Sequence, residues 1–262
     1  MFIDTHCHLY EKRLRKNLGN ILEQSAQAGV ITFIVPAIDL KTIDQTLELS
    51  KQYNNVYPAI GIHPTEIKSD TIDHDLNVLK THLQENPNVV AIGEIGLDAT
   101  CVEDIPMQTQ IEVLTKQIDL SLIHHLPTII HNRGCTDELI DGLSQYSKSD
   151  LQHKMVFHCC EPNKKLLNFA VQNEIFMGLD GDVTYDPEKR QFVSQIPLEL
   201  LVLETDAPYL LPEPLRSEKK YPNTPANIPI FAQLIAEKYA KPLEEIAAST
   251  TQNAQTLFQL PS

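Results

Sequence analysis

Seven residues able to bind a metal ion or move a proton, His6, His8, Glu94, His131, His158, Glu204 and Asp206, are spread between positions 6 and 206. Each falls at the end of a short apolar run: FIDTHCH (2–8), VVAIGEIGLD (89–98), LPTIIHNR (126–133), MVFHCC (155–160) and LELLVLETDA (198–207). His6 and His8 are two apart, and side chains alternate along a strand, so both imidazoles point one way and Cys7 the other. Alone, an HxH at a strand end reads equally as a ligand pair or as two incidental polar residues. Three further runs that end in His or Glu tip the balance toward ligands. Glycines flank Glu94 in GEIG and leave room for its carboxylate to bridge two ions. His6, His8, Glu94, His131, His158 and Asp206 offer only nitrogen and oxygen, a set suited to Zn, Mn, Fe or Mg rather than copper or an iron–sulfur cluster. A single catalytic zinc takes about three protein ligands, so the set implies two ions. Such a pair clamps the attacking and leaving oxygens of an in-line displacement and activates water near neutral pH. That chemistry hydrolyses phosphodiesters, and also amides and esters.

Polar residues placed again and again where a buried strand runs out are what a barrel of parallel strands produces at one mouth. Strand-like runs at 2–8, 31–37, 56–63, 89–98, 126–133, 155–160, 175–182 and 198–207 alternate with helical stretches near 17–29, 40–53, 72–86, 107–125, 136–146, 163–173 and 187–195. This alternation predicts βαβ units around a parallel sheet. A proline-rich excursion (208–229) follows, then a helix near 229–240 and an extra C-terminal helix over 242–260, expected to pack on the outside. The 262 residues match the roughly 250 of a TIM (β/α)8 barrel. With no linker, low-complexity tract or repeat, the expectation is a single domain spanning 1–262.

Hydrophobic residues make up 42% and charged residues 21% of the chain, ordinary for a soluble globular protein. The apolar Asp4–His6 strand starts almost at the first residue, with no charged leader and no run of about 18 apolar residues. A cytoplasmic protein without a membrane partner is expected. The five cysteines are odd in number and form no CxxC pair, which argues against a disulfide framework or a zinc knuckle. A net charge of −14 disfavours broad duplex binding, which needs many phosphates neutralised. A site for a few nucleotides stays compatible with it.

The stretches IDTHCHL (3–9), GIHP (61–64), AIGEIGLD (91–98), PTIIHNR (127–133), HCC (158–160), LETDAPYLLP (203–212), NTPANIP (223–229) and TTQNAQTLF (250–258) resemble, in order and spacing, the TatD family of metal-dependent deoxyribonucleases. The resemblance covers nearly the whole chain. It implies a TIM barrel and metal-dependent DNA hydrolysis, often 3′ to 5′ from single-stranded or frayed ends, with two divalent ions (Zn, Mg or Mn). It further implies that His6, His8, Glu94 and Asp206 hold one ion and that Glu94 bridges to a second held by His131 and His158. His63 would face the substrate, binding phosphate or donating a proton, and Arg133 would contact substrate. Asp206 would take the proton of the attacking water. Glu204 would serve as a base or hold a ligand in place. DNA ends or single-stranded DNA are the expected partner, and a monomer the expected state. Four places depart from the family pattern: Glu161-Pro162 replace a small hydroxyl and a glycine, Ala99-Thr100-Cys101 follow GLD, Gly134 replaces an Asp, and Thr224 a Glu. All four are expected near the mouth, where they bear on substrate identity.

His74, His82, His124, His125 and His153 fall on helices or their ends and are expected in surface or packing roles. Cys160, two beyond His158, either reaches the site or is a small buried thiol. The basic stretch Lys12-Arg13-Leu14-Arg15-Lys16 is a solvated helix start or a phosphate guide; Arg216, Lys219 and Lys220 are a weaker basic signal. Tyr10, Tyr185, Tyr209 and Tyr221 stack on bases or pin loops to the rim. The leading reading is phosphodiester hydrolysis at a nucleic-acid end. The alternative keeps the ions but acts on an amide or ester, such as an aminoacyl ester on RNA. A third, a non-catalytic partner protein on the same fold, is disfavoured by the intact ligand set.

Overall fold

The computed structural model describes residues 1–261. Eight strands, β1 (Phe2–Asp4), β2 (Val30–Pro36), β3 (Val56–Ile60), β4 (Ala91–Asp98), β5 (Thr128–Arg133), β6 (Met155–Phe157), β7 (Phe176–Leu179) and β8 (Leu201–Leu203), pair in sequence order. Every pairing is parallel. Between β8 and β1, the Thr5 N–H donates to the Leu203 carbonyl at 3.0 Å and Cys7 bridges Ala207, which closes the sheet into a TIM barrel. Helices cover the outer face of these strands and the barrel filling covers the inner one, so VITFIVP and AIGEIGLD read as near-continuous apolar runs.

The period-2 alternation sorts the core into two layers. Ile3, Ile34, Ala59, Ala91, Ile129, Val156, Phe176 and Val202, one from each strand, pack in a single cluster that fills the barrel. Their neighbours Phe33, Val35, Ile60, Ile92, Ile130, Met177 and Leu201 join a larger cluster with the helix residues Leu47, Leu79, Ile118, Leu139 and Leu166. Side chains thus seal the barrel below the mouth, and function is left to the strand C-terminal ends.

Three expectations need correction. The C-terminal helix Leu243–Phe258 does not merely pack on the outside: its Ala254, Leu257 and Phe258 join the barrel-filling cluster. The Asn253 amide donates to the Leu198 and Leu201 carbonyls at 2.8 and 2.7 Å, and the Thr251 hydroxyl to the Met1 carbonyl at 2.9 Å. The helix therefore plugs the end opposite the mouth, where an apolar stripe at i, i+3, i+4 meets the open strand starts. Strand length is the second, because β1, β6 and β8 stop before His6, His158, Glu204 and Asp206. Cys159 and Asp206 have φ of +46° and +49°, a left-handed backbone that cannot continue a ladder. Also, the stretch expected as one helix over 136–146 ends at Leu143, and a separate turn of helix spans Lys148–Leu151. Among the described residues, no helix is long and apolar enough to cross a membrane.

Candidate metal centre

At the C-terminal mouth the scattered side chains converge on one buried carboxylate. Glu94 sits in β4 where the register with β5 shifts between Ile92 and Ile95, an irregularity of the kind that re-aims a side chain. Its Oε2 lies 3.3 Å from His6 Nε2 and 3.7 Å from His8 Nε2. Its Oε1 lies 3.0 Å from His131 Nδ1, 3.1 Å from His158 Nε2 and 3.4 Å from His63 Nε2. Asp206 Oδ1 completes the first group, 3.2 Å from His8 Nε2 and 3.8 Å from His6 Nε2. The structure thus brings together all six sequence-derived ligand candidates, and His63 with them.

Hydrogen bonding alone does not account for this convergence. A carboxylate offers about four lone-pair sites, whereas five imidazole nitrogens crowd Glu94, and His6 and His8 present their Nε2 atoms to each other at 3.3 Å. Neutral imidazoles and carboxylates around cations do account for it, so the residues present fit divalent metal ions. Charge states are mixed: burial opposes the charging of His8, His131 and His158, but the facing carboxylates of Asp206, Asp98, Glu94 and Glu204 outweigh it and hold them above the ordinary histidine range, a positive charge that a bound cation would replace. Burial holds His6 and His63 below the ordinary histidine range, which favours the neutral, metal-binding form. Burial also opposes ionisation of Glu94, but the facing His158, His63, His6 and His131 outweigh it and keep its carboxyl well below the usual range.

Behind these groups lies a supporting layer. His8 Nδ1 is 2.8 Å from the Tyr10 hydroxyl, and His63 Nδ1 is 2.7 Å from the Thr65 hydroxyl. Asp98 Oδ2 lies 3.1 Å from His131 Nε2. Glu204 is fully buried; its Oε1 accepts the Cys159 N–H and lies 3.4 Å from His158 Nδ1. That places it as an orienting group rather than at the reacting face. Gly178 makes the space, since a Cβ there would come within 2.5 Å of the Glu204 carboxylate. Asp4 accepts from the His6 and Thr205 N–H groups at 3.2 and 3.0 Å and so ties the end of β1 to the end of β8; burial pushes its carboxyl up to about 7.

The centre opens into a cavity of about 970 Å³. Asp206 and Arg133 line it, and the Arg133 side chain is 63% exposed, with Nη1 3.8 Å from Asp98 Oδ2. Cys159, not Cys160, reaches the cavity: the positive φ at Cys159 breaks the alternation that would have aligned Cys160 with His158, and Cys160 is buried in the apolar layer. Beside Cys159, the buried Lys189 ammonium pairs with Asp182 and lies 3.8 Å from Asp180. His82, His125 and His153 lie away from the mouth, His82 near Asp44, His125 at a helix end and His153 near Glu174.

Comparison with known proteins places this constellation. The family model for TatD related DNase matches residues 3–259. The chain belongs to the TatD family. It is similar to YabD of Bacillus subtilis (strain 168), described as an uncharacterized metal-dependent hydrolase, with 32% identity over 262 residues covering 99% of this chain and 100% of that protein. The 3′-5′ ssDNA/RNA exonuclease TatD of Escherichia coli (strain K12) is 27% identical over 259 residues, covering 97% and 98%. The crystal structure of YjjV, a TatD homolog from Escherichia coli K12, superposes with a TM-score of 0.89 at 31% identity, covering 99% and 98%. This TatD chain is accordingly a metal-dependent hydrolase. Of its departures from the family pattern, Thr100, Glu161 and Pro162 line the cavity, and the Gly134 N–H lies 3.4 Å from Glu161 Oε2. Thr224 does not line the cavity itself; it starts a helical turn over Pro225–Asn227 next to Asn223, whose amide donates to the Thr205 carbonyl at 2.9 Å beside Asp206.

Proposed function

We propose that this TatD-type hydrolase cleaves phosphodiester bonds of DNA, as a 3′ to 5′ exonuclease on single-stranded or frayed ends, with two divalent ions (Zn, Mg or Mn) per chain. The observation that carries the proposal is the division of labour at Glu94, whose two oxygens face separate histidine groups. His6, His8, Asp206 and Glu94 Oε2 would hold one ion; Glu94 Oε1, His131 and His158 the other. Bound there, the ions would supply a low-pKa water and neutralise the charge that builds on phosphorus-bound oxygens.

The remaining roles fall to the protein. Asp206, the cavity-lining carboxylate of the first group, takes the proton of the attacking water. His63, held through Nδ1 by Thr65, binds a phosphate oxygen or donates a proton to the leaving oxygen. Arg133 contacts a phosphate from the opposite wall, and Glu204 keeps His158 in place. The activity named for the Escherichia coli relative supports the nucleic-acid substrate. In this reading the protein works as a single-domain cytoplasmic monomer.

One observation favours the alternative, an aminoacyl ester on RNA: Glu161 puts a carboxylate on the cavity wall, where a phosphate is repelled and an ammonium welcomed. The test is metal-stripped protein given Mg, Mn or Zn and a 3′-overhang oligonucleotide labelled at its 5′ end. The proposal expects a ladder shortening from the 3′ end only when metal is restored. An intact oligonucleotide under every metal, with an aminoacyl ester cleaved instead, would transfer the same residues to carbonyl chemistry.

A further inference from the structure

The walls of the mouth carry opposite charge. On the side of β6 and β7, Glu161, Asp182, Asp186 and Glu188 line the cavity against a single Lys189. On the side of β1 and β2, a second groove of about 530 Å³ adjoins the cavity and shares Tyr10 and Glu11 with it. Lys12, Arg15, Lys16 and Lys41 line this groove. Of its two acidic residues, Asp39 already accepts the Thr42 N–H and hydroxyl at 2.8 and 2.6 Å as the cap of the helix Leu40–Gln52. Arg15 pairs with Glu48 at 3.6 Å, but both side chains are half exposed, and such a pair holds an arginine only weakly. Four cations thus face one groove in a chain of net charge −14.

At the junction of groove and cavity stands Tyr209. It lines the cavity, is 41% exposed, and carries the Arg13 guanidinium 5.4 Å from its ring centre. An exposed ring backed by a guanidinium is a platform on which any base can stack.

We propose that a single nucleic-acid strand, its 3′ end in the metal-bearing cavity, leaves over Tyr209 and Arg13 and lays its next phosphates along Lys12, Arg15, Lys16 and Lys41. The proposal rests on the phosphodiesterase reading above. The acidic β6–β7 wall disfavours the opposite exit: the groove beyond Glu161 holds Lys164 and Lys165, but Asp137 and Glu138 line it too and Lys165 is paired with Asp137 at 2.8 Å. A groove with four cations accommodates a few phosphates only, which sets a short footprint and a shallow salt dependence, about 0.7 in logarithmic slope per phosphate neutralised on a single strand.

The test compares kcat/KM for a single-stranded octanucleotide with that for a dinucleotide, in wild type and in the triple variant Lys12→Gln/Lys16→Gln/Lys41→Gln, across a salt series. Wild type is expected to prefer the octanucleotide, more so at low salt. The triple variant is expected to lose roughly tenfold of that preference and most of its salt dependence. Tyr209→Leu, which leaves the cations in place, is expected to raise the octanucleotide KM without flattening the salt slope. An octanucleotide preference and salt slope identical in wild type and triple variant would overturn the path while leaving the phosphodiesterase reading intact. Wild type that cleaves neither substrate would instead remove that reading, and the path with it.

Discussion

Glu94→Gln is expected to abolish turnover, with a loss on the order of 10⁴-fold or more in kcat, because it disables both halves of the centre at once. Glutamine keeps the shape of a side chain that is only 4% exposed. It loses the charge that faces five imidazole nitrogens and turns one acceptor oxygen into a donor amide. Burial already holds His6 and His63 below the ordinary histidine range, and His158 loses one of the carboxylates that hold it above that range, so the histidines can respond by shedding protons and the barrel should survive the change. Circular dichroism and thermal unfolding should therefore report a folded protein whose metal content has fallen. Retained wild-type turnover would remove Glu94 from the mechanism.

Asp206→Asn is expected to lower kcat by about 10²–10⁴-fold, the usual range for loss of a positioned proton acceptor. The choice of asparagine matters here. Asp206 has φ of +49°, and Asn tolerates the left-handed region about as well as Asp, so the backbone and its N–H bond to the His6 carbonyl at 2.9 Å are kept. What changes is the charge beside His8 and the capacity to take a proton. Alanine at the same position would add backbone strain and confuse the two effects. Activity of the Asn variant within a few-fold of wild type would assign the proton transfer elsewhere.

The fold was largely legible because strands of a parallel barrel are covered on both faces and leave uninterrupted apolar runs such as VITFIVP and MVF. The convergence of the candidate ligands was legible for a related reason: buried strands that end in His or Glu stand out against their own composition. Less accessible were features decided by backbone geometry. The positive φ at Cys159 swaps the exposure of two adjacent cysteines, and nothing in HCC announces it. Glu204 and Asp206 are two apart, yet the left-handed turn at Asp206 leaves Glu204 buried behind His158 while Asp206 faces the cavity. Asp98 and Asp4 were overlooked although a signal existed, since each shares a strand face with a proposed ligand, Asp98 four residues after Glu94 and Asp4 two before His6. The C-terminal plug escaped because an amphipathic helix has the same pattern whether its stripe meets a barrel wall or a barrel end. Tyr10 reads like Tyr209 in sequence, but it is buried against His8 whereas Tyr209 stands at the rim.

The proposed chemistry requires two ions held by a shared carboxylate. Anomalous scattering from crystals of protein reconstituted with Mn or Zn measures this directly. It should show two peaks per chain on either side of Glu94, one among His6, His8 and Asp206 and the other beside His131 and His158, with both weakened in Glu94→Gln. A single peak that persists in Glu94→Gln, or none under any metal supplied, would contradict it.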